Sequence, residues 1–121
     1  MFQGLRTVIY KVPDLARAKA WYAAAFDTAP YFDQPFYVGF NIGRFELGLD
    51  PDMTGVVVGS NVLAYWGVPD ITAAHARLLA QGATARDAIR EVGEGIKVAT
   101  VADPFGNVIG IIENPHFTLG A

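Results

Sequence analysis

The sequence predicts an α+β fold built as a duplication, in which two βαβββ modules form a curled, mixed eight-stranded sheet around a cavity, with the helices outside. The main observation is a repeated tetrapeptide: Val-Pro-Asp-Leu at residues 12–15 returns as Val-Pro-Asp-Ile at residues 68–71. Alanines at positions 18, 20 and 24 recur 56 residues later, at positions 74, 76 and 80. Each tetrapeptide follows a short apolar run and precedes a stretch with helical periodicity, so it marks two copies of one supersecondary unit.

Composition places the chain among globular proteins. Of its 121 residues, 52% are hydrophobic and 17% are charged, which suits a single domain spanning 1–121 with a substantial core. The net charge is −3 and the nine Lys and Arg residues are scattered, so no nucleic-acid partner is expected. The chain has no cysteine and no long apolar run, so we expect no disulfide, no membrane segment and a cytoplasmic location.

The first module is predicted to span about 4–50. Alternation over residues 5–12 predicts a strand that places Thr7 and Ile9 on one face. Asp14 is a good N-cap for the helix that follows. The apolar side of that helix is predicted to carry Leu15, Ala18, Tyr22, Ala25 and Phe26.

Three strands are predicted to complete the first module, at residues 29–33, 36–40 and 44–49, with a turn at 41–43. In the last of them Glu46 and Gly48 lie on the face opposite Leu47, because successive side chains of a strand alternate.

Residues 51–59 are rich in Pro, Asp, Gly and Thr and are predicted to link the modules. The second module is predicted at about 60–115, with a strand at 61–67 and a helix at 70–81 that ends at Gly82. The buried stripe of this helix is predicted as Ile71, Ala74, His75, Leu78 and Leu79. Its later strands are predicted at 84–89, 96–102 and 107–113.

The tetrapeptides, the Ala-Trp-Tyr at 20–22, the Ala-Gln-Gly-Ala at 80–83 and the Asp-Pro-Phe-Gly-Asn at 103–107 resemble the vicinal oxygen chelate superfamily. This superfamily includes glyoxalase I, bleomycin-resistance proteins, methylmalonyl-CoA epimerase and extradiol dioxygenases. The resemblance covers nearly the whole chain and implies the double βαβββ architecture.

The resemblance also implies four positions for a divalent metal. Residue by residue, they fall on Thr7, Glu46, Leu63 and Gly110. Only Glu46 is a good ligand, whereas Zn²⁺ needs three or four His, Cys or carboxylate ligands and Mg²⁺ needs several oxygens. His75 and His116 lie on the outer helix and beyond the last strand, so we expect no metal cofactor.

Alternation predicts a mostly apolar cavity wall. Glu46 is the candidate catalytic residue: it either accepts hydrogen bonds from a ligand or acts as a base with a raised pKa, or it pairs with Arg44 or reaches solvent. Gly48 and Gly110 either leave room for a ligand or relieve crowding between strands. The predicted ligand-binding residues are Thr7, Ile9, Phe36, Arg44, Glu46, Gly48, Leu63, Tyr65 and Gly110, and the rest of the wall is Val108 and Ile112.

The aromatic stretch at 31–37 is a second candidate for ligand contact, since rings stack on planar molecules without a metal; the alternative is that these are core aromatics. Two alternatives also apply to Tyr65: its hydroxyl donates a hydrogen bond to a ligand, or the residue is a core side chain. Three functions are open for a chain with this resemblance. The first is a metal-independent protein that binds a small apolar or aromatic molecule. The second is a lyase, isomerase or dioxygenase-type enzyme that uses Glu46 as a base or as ligand of a non-standard metal site. The third is an interaction module that has lost its pocket. The resemblance also implies a homodimer.

Overall fold

A computed structural model describes residues 1–59 and 61–118, and this part of the chain forms two helices and nine strands. Position 60, where the second module was predicted to begin, lies outside the described residues. The chain divides into two compact units, Met1–Val58 and Gly59–Ala121. In chain order the elements are β1 (Thr7–Lys11), α1 (Leu15–Phe26), β2 (Phe32–Gln34), β3 (Tyr37–Ile42), β4 (Phe45–Asp50), β5 (Tyr65–Gly67), α2 (Ile71–Ala80), β6 (Thr84–Ala85), β7 (Arg90–Gly93), β8 (Ile96–Ala102) and β9 (Val108–Glu113).

The repeated tetrapeptide starts both helices in the same way. The carboxylate of Asp14 accepts a hydrogen bond from the backbone N–H of Arg17 at 3.1 Å, and that of Asp70 accepts one from Ala73 at 3.1 Å. Each aspartate thus satisfies an N–H group that the first helical turn leaves without a partner. The predicted N-cap at Asp14 is confirmed, and Asp70 has the same role in the second helix.

The first unit contains a mixed sheet in the order β1-β4-β3-β2. β1 and β4 are parallel, as expected for strands joined through a helix, and the other two pairs are antiparallel. One face packs on α1 and supplies the core of the unit. Its buried residues include Tyr10, Val12, Val38, Phe40, Leu47 and Leu49, with Ala18 and Tyr22 from the helix.

The opposite face of this sheet, called the open face below, carries Thr7 and Ile9 of β1 and Glu46 and Gly48 of β4. The same alternation that buries Leu47 and Leu49 turns Glu46 and Gly48 away from α1, as the sequence predicts.

The described part of the second unit forms a mixed sheet in the order β5-β9-β8-β6, and β7 pairs with β8 as well. Helix α2 packs on β8 and β9. Ile71 and Leu78 of the predicted stripe are buried, whereas Leu79 is 37% exposed, so the stripe is narrower than predicted.

The predicted strand at 84–89 is interrupted, so the described part of the second unit has one strand more than the first unit. The break lies at Asp87, whose backbone N–H donates to the side-chain Oγ1 of Thr100 at 3.0 Å instead of to a backbone carbonyl. The strands on either side of this break are β6 and β7, and both pair with β8. The predicted strand at 61–67 is also shorter, since only Tyr65–Gly67 is paired with β9. The α+β class is confirmed.

Neither helix of the described ranges has the length or the apolar run needed to cross a bilayer.

Candidate functional site

The candidate site is centred on Glu46, on the open face of the first unit. In the parallel pair Glu46 lies opposite Thr7, and in the antiparallel pair it lies opposite Asn41. Its carboxylate projects from a central strand of the sheet, so side chains from both neighbouring strands can reach it.

Three hydroxyl groups donate hydrogen bonds to this carboxylate. Thr7 Oγ1 lies 2.8 Å from Oε1, and the Tyr37 hydroxyl lies 2.6 Å from the same oxygen. The Tyr31 hydroxyl donates to the other oxygen, Oε2. Hydrogen bonds to an ionised acceptor are shorter and stronger than neutral ones. The cluster therefore links β1, β3 and the residue before β2 to β4.

Two glycines make room for the tyrosines. A Cβ added at Gly48 would lie 1.9 Å from the Tyr37 hydroxyl oxygen and 2.6 Å from Cζ of its ring. A Cβ added at Gly39 would lie 2.9 Å from Oε2 of Glu46 and 3.1 Å from Cε1 of Tyr31. The ring of Tyr37 thus occupies the space above Gly48 that the sequence analysis considered as room for a ligand.

The hydroxyls also determine the protonation of the cluster. Burial acts to raise the pKa of Glu46, but the hydrogen bonds from Tyr31, Tyr37 and Thr7 outweigh it and lower that pKa. Burial and the hydrogen bond to Glu46 raise the pKa of Tyr37 to about 12, and the hydrogen bond to Glu46 raises that of Tyr31. At neutral pH Glu46 is an anion and both tyrosines are protonated donors. The hypothesis that Glu46 is a base predicted a raised pKa, whereas its pKa is lowered.

No cation neutralises Glu46 among the described residues. Lys11 forms an ion pair with Asp50 at 2.9 Å, and Lys19 forms one with Asp33 at 2.9 Å. Arg44, the partner that the sequence suggested, lies exposed between β3 and β4 and forms no ion pair with Glu46. Within the described part of the chain, the hydrogen bonds to this carboxylate come from neutral hydroxyls.

Three rings form a row that leads to Glu46. The ring centroids of Phe36 and Phe32 are 6.0 Å apart, and those of Phe32 and Tyr37 are 6.1 Å apart. Phe36 is 66% exposed and Phe32 is 37% exposed, so these rings are not core side chains. We call Phe36, Phe32 and Tyr37 the aromatic row.

The remaining predicted site residues belong to the second unit. Tyr65 pairs with Gly110, and a Cβ added at Gly110 would lie 2.7 Å from Cδ1 of Tyr65, so this glycine also makes room for a tyrosine ring. Leu63 precedes β5 and is 39% exposed. The Val68 N–H donates to Ile112 just as the Val12 N–H donates to Asp50.

These two equivalent bonds align Asp50 with Ile112. Counting back two and four residues from them, Gly48 corresponds to Gly110, and Glu46 corresponds to Val108. Neither Val108 nor Gly110 carries a side chain that binds a metal. The second sheet thus has no carboxylate equivalent to Glu46.

The resemblance implies a divalent metal, and the side chains around Glu46 supply few ligands for one. Within 1–59 and 61–118, no three His, Cys, Asp or Glu side chains lie together in a way that holds an ion. At Glu46 both carboxylate oxygens accept hydrogen bonds from hydroxyl groups, and Thr7 donates its own hydroxyl hydrogen to one of these bonds. A neutral hydroxyl is a poor ligand, and one carboxylate does not supply the three or more ligands that Zn²⁺ or Mg²⁺ takes. These residues do not fit the metal.

Sequence reasoning singled out Glu46 and placed Thr7 on the same wall, but it missed the hydrogen bonds from the two tyrosines. Tyr31 and Tyr37 were considered as rings that stack on a ligand or as core aromatics, and the room that Gly39 leaves for Tyr31 was not predicted. The available signal was the pairing of β3 with β4: in an antiparallel register that places Gly39 opposite Gly48, Tyr37 shares a face with Glu46. That register depends on the position of the turn, which was predicted too early in the chain.

No family model matches the sequence, and no curated protein sequence matches it. Solved structures do match. A glyoxalase-related enzyme from Fulvimarina pelagi superposes with a TM-score of 0.79 at 24% identity, covering 99% of this chain and 94% of that one. Lactoylglutathione lyase from Agrobacterium tumefaciens superposes with a TM-score of 0.77 at 18% identity, covering 98% and 100%.

A genomically encoded fosfomycin resistance protein from Listeria monocytogenes superposes with a TM-score of 0.79 at 13% identity, covering 96% of this chain and 97% of that one. At such identities the similarity concerns the fold. The chain therefore has the fold of glyoxalase-related and resistance proteins, and the resemblance seen in the sequence is confirmed for the fold.

Proposed function

We propose that this protein binds a small, largely apolar or aromatic molecule on the open face of its first unit, with Glu46 as the polar contact and without a divalent metal. The observation that carries the proposal is the carboxylate of Glu46, held ionised by three hydroxyls beside the aromatic row. An apolar surface with a few well-placed polar groups is typical of small-molecule sites.

Exposure of apolar groups around the carboxylate supports this proposal. Ile9 is 47% exposed on the open face, and Phe36 and Phe32 expose part of their rings. Exposed apolar groups that lie together around a polar group favour a binding site over a purely structural surface. The fold supports it as well, because one structural neighbour is a lyase and another is a resistance protein.

A thermal-shift titration with a panel of aromatic and amphipathic molecules tests the proposal. We expect one class to raise the melting temperature in the presence of a chelator, and Glu46→Gln to reduce that shift. Glu91→Gln, on the exposed strand β7, changes the net charge equally and serves as the control. A flat response to the whole panel would contradict binding, and a response restored only by added Zn²⁺ or Mg²⁺ would contradict metal independence.

The second candidate is an enzyme of the lyase or isomerase type in which Glu46 accepts a proton. The adjacent Tyr31 and Tyr37 hydroxyls favour it, because a carboxylate beside phenols can pair a base with a proton donor. Against it, the lowered pKa makes Glu46 a weak base. If Glu46→Gln keeps the turnover of an identified substrate, this role is excluded.

The homodimer and the cytoplasmic location remain predictions. The mass in light scattering tests the first of them.

A further inference from the structure

The charge of Glu46 has no counter-ion in the first unit. Its partners are the neutral hydroxyls of Thr7, Tyr31 and Tyr37. Lys11, which lies on the same face four residues beyond Thr7, is paired with Asp50 at 2.9 Å. Hydrogen bonds from neutral groups stabilise a carboxylate without cancelling its charge. A partly buried negative charge of this kind favours a positively charged ligand over a neutral or negative one.

The two oxygens of Glu46 differ in their accessibility. Oε1 accepts from Thr7 and Tyr37, which are both partly buried. Among the described residues Oε2 accepts a side-chain hydrogen bond from Tyr31 alone. Tyr31 is 63% exposed and lies just before β2, at the edge of the sheet. Since an exposed side chain changes rotamer readily, Oε2 is the oxygen that a ligand can reach by displacing Tyr31.

The aromatic row supplies the other half of a cation site. The face of an aromatic ring is electronegative and attracts an ammonium group, and its apolar area accepts a hydrocarbon body. Tyr37 joins the row to the carboxylate, since its hydroxyl lies 2.6 Å from Oε1 while its ring centroid lies 6.1 Å from that of Phe32. Carboxylate and rings are thus consecutive parts of one surface.

We propose that the ligand of this surface is a cationic amine, whose ammonium group binds Oε2 of Glu46 in place of the Tyr31 hydroxyl and whose apolar or aromatic body lies along the aromatic row. This inference rests on the proposed small-molecule function and adds the charge class of the ligand and the atom that recognises it.

Three molecules of the same size and different charge test it: benzylamine, benzyl alcohol and benzoate, titrated at neutral pH and low salt by calorimetry or by NMR shifts. We expect benzylamine to bind roughly tenfold or more tightly than benzyl alcohol, because a charge-assisted hydrogen bond is about twice as strong as a neutral one. Benzoate should bind least well. Added salt should weaken the binding of benzylamine and leave that of benzyl alcohol unchanged.

Glu46→Gln should remove the preference for benzylamine, and Glu91→Gln should retain it. Tyr31→Phe is the second variant: it deletes an exposed hydroxyl that competes for Oε2, so the fold is kept and benzylamine should bind more tightly. Weaker binding of benzylamine to Tyr31→Phe would overturn the inference, as would an unchanged preference in Glu46→Gln.

Equal or tighter binding of benzyl alcohol or benzoate would overturn the cationic ligand and leave the proposed binding function intact. If none of the three binds, the inference fails, and the wider ligand panel decides separately whether the proposed function fails too.

Discussion

Gly48→Ala tests whether the site depends on the space that this glycine leaves for Tyr37. The new Cβ would lie 1.9 Å from the Tyr37 hydroxyl oxygen and 2.6 Å from Cζ, so the ring has to move and its hydrogen bond to Glu46 is lost. A hydrogen bond to a charged group contributes about 1.5–3 kcal/mol. Alanine in place of glycine within a strand raises the free energy of unfolding by about 0.5–1 kcal/mol, because alanine loses less chain entropy on folding. The free energy of unfolding should therefore fall by about 0.5–2.5 kcal/mol.

Urea unfolding followed by circular dichroism measures this change, and Gly67→Ala is the matched control. Gly67 also lies in a strand, and a Cβ added there meets no atom within 4 Å, so this variant should be as stable as the wild type or slightly more stable. In the background of Tyr37→Ala, which removes the ring, Gly48→Ala should cost little. The reasoning is refuted if Gly48→Ala is as harmless as Gly67→Ala, or if its cost is the same with and without the ring.

Three further predictions follow from the same contacts. The pKa of Glu46 is lowered in the folded state, so the wild type should gain its full stability over Glu46→Gln above pH 4.5. This difference in the free energy of unfolding should shrink as the pH falls further. Urea unfolding midpoints across this pH range measure it, and they would show no trend if the hydroxyls had no effect. Tyr37 should ionise near pH 12 instead of 10, and Tyr37→Phe should remove that step from an ultraviolet absorbance titration. Asp103→Ala should destabilise the protein by about 2–4 kcal/mol, because it leaves the N–H groups of Phe105 and Asn107, now bound at 2.9 and 2.7 Å, without their acceptor; an unchanged unfolding midpoint would contradict this.

The fold could be predicted because its signals are local. Asp14 and Asp70 cap their helices through atoms three residues away, so the tetrapeptide contains the interaction that it predicts. The faces of β1 and β4 follow from alternation, which needs only the phase of each strand. Strand ends were less predictable: the break at Asp87 depends on Thr100, a side chain 13 residues further along the chain.

The sequence alone was sufficient for the duplication, both helix starts, the face on which Glu46 lies and the absence of good metal ligands at Thr7, Leu63 and Gly110. What surrounds Glu46 was decided by the tertiary structure. Thr7 is 39 residues away from it in the chain, and the tyrosines reach it only because β3 pairs with β4 in one register of several that the sequence allows. A change of that register by one residue turns Tyr37 to the other face, so the partners of the carboxylate, and with them its charge and its pKa, are properties of the assembled sheet.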